Sequence, residues 1–112
     1  MIRPMPRGLT TSWLADRLGV QPAHITAMRR SGELVGVRRG SEYVYPAWQF
    51  DPDLHPLPDV RRVVEAARKA GIDGDRLHGL VTMRSGLTRG AKPIDRLDRE
   101  SAERVLRAIS RA

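Results

Sequence analysis

Residues 11–30, TSWLADRLGVQPAHITAMRR (Thr11 to Arg30), decide the fold of this 112-residue chain. Leu14 and Leu18 lie four apart and mark one face of a first helix. Ala15 is small, as the crossing point of a second helix requires. Gly19 stands at the turn, where a positive φ comes at little cost only without a Cβ. Val20, Ile25 and Met28 then supply the buried side of a second helix. Pro22 suits the first position of that helix, where its missing N–H is no loss. The pattern predicts a helix-turn-helix, a unit that lays its second helix in the DNA major groove.

The flanks agree. Thr10 reads as the N-cap of the first helix, with Leu9 and Leu14 as a hydrophobic staple around it. Gln21 reads as the cap of the second helix, which ends near Ser31 with Gly32 as its stop. From Leu34 to Tyr45 the period changes to alternation: LVGVRR, then Gly40-Ser41, then EYVY. Glycine at the first central position suits a type II′ hairpin turn. The reading is a two-stranded wing with Arg38 and Arg39 beside its tip.

Residues 1–8 read as a flexible basic arm, 9–46 as the winged helix-turn-helix and 47–58 as a Pro-rich connector that pins Trp48 and Phe50 to the core. Residues 59–112 read as a C-terminal helical association region. Within it, Asp59 caps a helix with the face Val60, Val63, Val64 and Ala67. A short helix follows from about Asp75 to Met83, using Leu77, Leu80 and Val81. Gly86 and Gly90 bracket a loop, and Pro93 opens a brief turn through Leu97. Asp98 caps a last helix with the face Ala102, Val105, Leu106 and Ile109. The expected fold class is mainly α with a small β-hairpin wing.

Charge points to an anionic partner. The formal net charge is +7. Residues 1–40 hold seven arginines against two acids, whereas residues 41–112 hold thirteen Lys and Arg against eleven acids. The cationic end therefore coincides with the helix-turn-helix. There is no cysteine, which excludes disulfides, Cys-zinc sites and thiol catalysis. No apolar run reaches the length of a membrane span, and a cytoplasmic protein without membrane partner is expected. The histidines at 24, 55 and 78 lack metal-ligand spacing. Asp73 and Asp75 flank Gly74 without the continuation of a calcium loop. Ser85 to Lys92, SGLTRGAK, lacks phosphate-loop spacing. No nucleophile, base or cofactor motif assembles, so binding rather than catalysis is expected.

On the second helix the expected outward side is Gln21, Ala23, Thr26, Ala27 and Arg30, with His24 and Arg29 at its margins. Gln pairs bidentately with adenine and Arg with guanine, while Thr and Ala meet a thymine methyl. Gln21 has a cap as its alternative role, and Arg29 a phosphate contact. Arg38 and Arg39 are placed to enter a minor groove or touch phosphate.

Two resemblances follow. Thr10 to Tyr45 resembles the winged helix-turn-helix of MerR-type regulators and phage excisionases. There, a recognition helix runs into an R-x-G-x-L element, here Arg30-Ser31-Gly32-Glu33-Leu34, and then a hairpin, here with Arg38, Arg39 and Tyr43. From Val60 onward the chain is similar to the toxin-binding region of Xre/MbcA/ParS-type antitoxins. The matching pattern is Gly90-Ala91-Lys92-Pro93-Ile94-Asp95-Arg96-Leu97, then Glu103 to Ile109. That resemblance implies a repressor that neutralises a toxin, often of the NAD-consuming RES class. It also implies partner contacts at Arg89, Lys92, Pro93, Arg96 and Leu97. The chain differs from those antitoxins in having a MerR-like reader rather than an all-helical one. A single reader makes few base contacts, so a homodimer on paired half-sites is expected. Two alternatives stay open: an excisionase-like protein that bends DNA, and a protein-interaction module whose cations are merely solvated.

Overall fold

The Thr10 hydroxyl accepts from the Trp13 N–H at 3.1 Å and starts α1 (Thr11–Leu18). The structure, a computed structural model, describes residues 8–82 and 96–111. Leu9 and Leu14, on either side of the cap, are both fully buried in one cluster, as a staple requires. Gly19 closes α1 with φ 67°, and the Val20 N–H returns to the Ala15 carbonyl at 2.9 Å. The chain then enters α2 (Pro22–Arg30) with Pro22 in the first turn. Ile25 is fully buried and Ala15 nearly so, while Val20 and Met28 pack against the same cluster from its edge.

The wing has three strands rather than two. β1 (Gly8–Thr10), β2 (Val37–Arg39) and β3 (Glu42–Pro46) form an antiparallel sheet in the order β1-β3-β2. Leu9 pairs with Tyr45, and Val37 with Val44. Gly8 thus belongs to the sheet and not to the basic arm; residues 1–7 of that arm lie outside the described residues. The hairpin loop is Gly40-Ser41, with Gly40 at φ 62°. β2 is shorter than the alternating run suggested. The Gln49 side chain takes the backbone N–H and carbonyl of Val35, in place of a neighbouring strand. Pro46 sits beyond the last β2 pair, so its missing N–H costs that ladder nothing.

After a single 3-10 turn (Ala47–Gln49) come α3 (Val60–Lys69), α4 (Gly74–Thr82) and α5 (Arg99–Ser110). Asp98 caps α5 through the Ser101 N–H at 2.7 Å, and this bond holds its carboxyl below the usual range. Asp59 precedes α3 but makes no side-chain capping bond; it accepts from Arg62 at 2.8 Å instead. Arg62 also reaches Glu103 of α5 at 3.0 Å. In α4 it is the Asp73 carboxylate that accepts from the Arg76 N–H, at 2.9 Å. The loop expected around Gly86 and Gly90 and the turn at Pro93 fall outside the described residues.

Two apolar clusters result. One gathers Leu9, Leu14, Ala15, Ile25, Leu34, Tyr45 and Phe50. The other gathers Val35, Trp48 and the inner faces of α3, α4 and α5, including Leu97. Each fully buried aliphatic side chain stabilises by about 1.5–3 kcal/mol. The connector belongs to both: Trp48 enters the second cluster, Phe50 the first. Between them Gln49 is fully buried and bonded to Val35 and Pro46. Leu34 and Val35 likewise point into different clusters. The helix-turn-helix and the C-terminal helices are therefore locked at adjacent residues rather than strung on a linker.

Candidate nucleic-acid interface

The outer surface of α2 is built by what its inner surface buries. With Ile25 in the core, Gln21, Ala23, His24, Ala27 and Arg30 face solvent, and Thr26 is half-exposed. Ala23, Thr26, Ala27, Arg30 and Ser31 line one open concavity along the helix. Gln21 occupies the N-cap position without a side-chain capping bond, which leaves its amide free for other partners. The helix itself contains no acid. Among the described residues, neither Arg30, Arg38 nor Arg39 makes an ion pair with a carboxylate. Arg38 and Arg39 are exposed next to the hairpin loop, as the alternation indicated.

Arg29 departs from the expected surface role. Its guanidinium carbon lies 3.8 Å from the centroid of the Tyr43 ring, and its Nε is buried. The side chain folds back across Gly36, where a Cβ would come within 2.5 Å of Arg29 Cδ. Arg38 approaches the same ring at 6.0 Å. Tyr43 thus collects one arginine from the last turn of α2 and one from the wing. Cation–π attraction over a half-buried ring ties α2 and the wing into one cationic surface.

The C-terminal helices meet this surface from behind. Arg68 of α3 donates to the carbonyls of Arg29 at 3.1 Å and Arg30 at 3.0 Å. The Arg29 carbonyl also accepts from the Gly32 N–H at 3.2 Å, so Arg68 adds a second donor there, at the carbonyl end of α2. Asp75 of α4 accepts from the Arg38 backbone N–H at 3.1 Å. Gly74 lies so close to Gly36 that a Cβ would strike the Gly36 carbonyl oxygen. Behind Asp75, His78 accepts at Nδ1 from the Trp48 indole N–H at 3.0 Å, the two ring planes being within 10° of parallel. Burial lowers the His78 pKa; the nearby Arg39 charge adds to this and Asp75 opposes it.

The expected partner-contact set fares differently. Arg89, Lys92 and Pro93 lie outside the described residues. Arg96 is exposed. Leu97 is a correction: at 1% exposure it packs in the second cluster, and its N–H donates to the Trp48 carbonyl at 2.8 Å. A side chain so enclosed holds the core and has no surface to offer a partner. His24 and His55 are exposed and His78 is half-buried. The side chains of Asp51, Asp53 and His55 gather within 4.8 Å, around Asp51 Oδ1, which accepts from the Asp53 and His55 N–H groups. This is a side-chain-bonded turn of the connector.

Sequence reasoning missed Gln49, Arg68 and Asp75. Gln49 was hidden in a Pro-rich stretch, and Arg68 and Asp75 are charged positions on helices read only for their apolar faces. No signal in the chain marks them before the helices are placed against the wing.

No family model matches this chain, and no curated protein matches it. Its backbone is similar to the NMR structure of Rv2175c. The TM-score is 0.68 and the sequence identity 18%, over 99% of this chain and 82% of that one. The likeness is one of fold. Among the described residues, no helix is long and apolar enough to cross a membrane.

Proposed function

We propose that this protein binds double-stranded DNA, with α2 in the major groove and the β2–β3 hairpin against the adjoining backbone or minor groove. The observation that carries the reading is the outer face of α2. Gln21, Ala23, Ala27 and Arg30 are exposed, Thr26 half-exposed, and no acid interrupts the helix. Base edges are read by Gln21, Ala23, Thr26, Ala27 and Arg30, with His24 at the margin. Arg38 and Arg39 neutralise phosphate and release counterions. Arg29 acts from inside, by holding the wing to α2. A homodimer on two half-sites supplies the contacts that one reader lacks.

Regulation of transcription in the cytoplasm is the biological role that fits such a reader. The toxin-partner role implied by the antitoxin resemblance has Arg96 as its exposed residue among those described, since Leu97 is enclosed.

The test is selection of duplexes from a random library, followed by anisotropy titration over a salt series. Enrichment of a common motif and a steep loss of affinity with salt are expected. Absence of duplex binding at low salt rejects the proposal. Strong binding without motif enrichment, together with bending of the duplex, replaces it with the architectural alternative. Purification from the native cell tests the toxin-partner role separately.

A further inference from the structure

We infer that α3 and α4 set the pose of the DNA reader, and that Arg68 is a positioning residue for sequence selectivity. This rests on the DNA reading above.

Besides the apolar packing of Val35, three contacts join the C-terminal helices to the reading elements, and each of these falls on backbone rather than on a side chain. Arg68 donates through one nitrogen to two successive carbonyls, those of Arg29 and Arg30. Asp75 accepts from the backbone N–H of Arg38. Gly74 packs directly on the Gly36 carbonyl. Backbone contacts define where an element lies, whatever side chains it carries. They therefore act on the end of α2, on the segment leading into the wing and on β2 together.

Arg68 is suited to the role. It lies one turn beyond Val64, whose side chain is buried in the second cluster, so its stem leaves from a fixed base. Gly32, at φ 88°, leaves the space through which the guanidinium reaches α2; a Cβ there would stand 3.3 Å from Nη1. A cation at the carbonyl end of a helix is also favourable electrostatically. Arg30 carries its base-reading side chain on the very residue whose carbonyl Arg68 holds. Without that bond the last turn of α2 frays, and the Arg30 side chain samples a wider range of positions. Selectivity then falls more than general affinity, because phosphate contacts tolerate displacement and base-edge bonds do not.

The experiment compares wild type, Arg68→Ala and Arg68→Lys on a selected duplex and an unrelated duplex of equal length, over a salt series. Thermal melts accompany it. Arg68→Ala is expected to lower the ratio of the two affinities about tenfold. The salt slope should stay unchanged, with Arg68→Lys recovering part of the ratio. In the free protein, the amide resonances of Ser31 and Gly32 should shift in Arg68→Ala and move back in Arg68→Lys. Equal loss on both duplexes, with a slope shallower by about 0.9, would mean that Arg68 touches phosphate and overturns the inference. An unchanged ratio overturns it as well. If Arg68→Ala does not fold, Arg68→Lys carries the comparison: it keeps the charge but loses the planar fork, so a reduced ratio at constant slope is expected. Wild-type protein that binds no duplex rejects the DNA reading itself, a result distinct from selective wild type with equally selective variants.

Discussion

The Arg29 guanidinium lies over the Tyr43 ring at 3.8 Å, and this contact joins α2 to the wing. The two residues are on different elements, α2 and β3, and are fourteen positions apart. Arg29 Nε is buried with no hydrogen-bond partner among the described residues, so the ring face is the main compensation for its desolvation. Tyr43→Ala should therefore lower unfolding free energy by about 1–2 kcal/mol, combining lost cation–π attraction with lost packing. Tyr43→Phe, which keeps the ring, should stay within about 0.5 kcal/mol of wild type. Urea titration checks both, and equal losses would show that the hydroxyl, not the ring, matters.

Gln49 supplies a second, more costly link. It is fully buried and serves Val35 N–H, Val35 carbonyl and Pro46 carbonyl at 2.7, 2.8 and 3.1 Å. Gln49→Leu fills similar volume but strands those backbone groups without water. A loss of about 2–4 kcal/mol is expected. A near-neutral urea midpoint would show that the backbone re-pairs elsewhere.

Two glycines of α4 should respond in opposite directions. Gly79 has open space at its Cβ position, so Gly79→Ala should stabilise by about 0.5–1 kcal/mol through helix propensity. Gly74 faces the Gly36 carbonyl, so Gly74→Ala should destabilise by about 2 kcal/mol or more. The same substitution in one helix then reports on the seam alone. Thermal unfolding of the pair is sufficient, and a stabilised Gly74→Ala would disprove the close approach.

His78 predicts a pH dependence. Burial and the Arg39 charge hold its folded pKa below the ordinary 6.5. Between that lowered value and 6.5, the unfolded chain carries a proton that the folded chain rejects. This group's contribution thus makes stability rise with pH through that window and level off above it. The Trp48 bond acts in the same sense, since Nδ1 must be unprotonated to accept. The melting temperature should fall from neutral pH to about pH 5.5, and His78→Gln should flatten the decline. Asp98, held below its ordinary 3.8 by Ser101, withdraws a further contribution only in stronger acid. A melting temperature constant down to pH 5.5 would contradict the His78 assignment.

Under the proposed DNA binding, Arg30 and the Arg38–Arg39 pair should separate in their effects. Arg38→Ala with Arg39→Ala should weaken all duplexes alike and reduce the salt slope by about 1.8, two phosphates' worth. Arg30→Ala should cost about 1–3 kcal/mol on the selected duplex and relax preference at one base pair. Uniform loss for Arg30→Ala would assign it to phosphate.

The helix-turn-helix was legible in the chain because its determinants are local. Thr10, Gly19 and Pro22 act within one or two turns, and Leu14, Ala15 and Ile25 follow a fixed period. The faces of α3 and α5 were legible for the same reason. The β1 strand was not, since three residues after a Pro-rich arm carry no alternation to count. Its partner β3 lies more than thirty residues away.

What the amino-acid order determined alone was therefore the helices and the β2–β3 hairpin, the caps at Thr10 and Asp98, and the outward side of α2. What tertiary structure decided was how those elements are held. Arg68 and Asp75 look like solvated charges until their helices dock on α2 and the wing, and Arg29 looks like a free surface cation until Tyr43 comes beneath it. Helical period and capping are properties of neighbours in the chain. The partners of a guanidinium or a buried amide are chosen by whichever distant backbone the core brings within 3 Å or so of it.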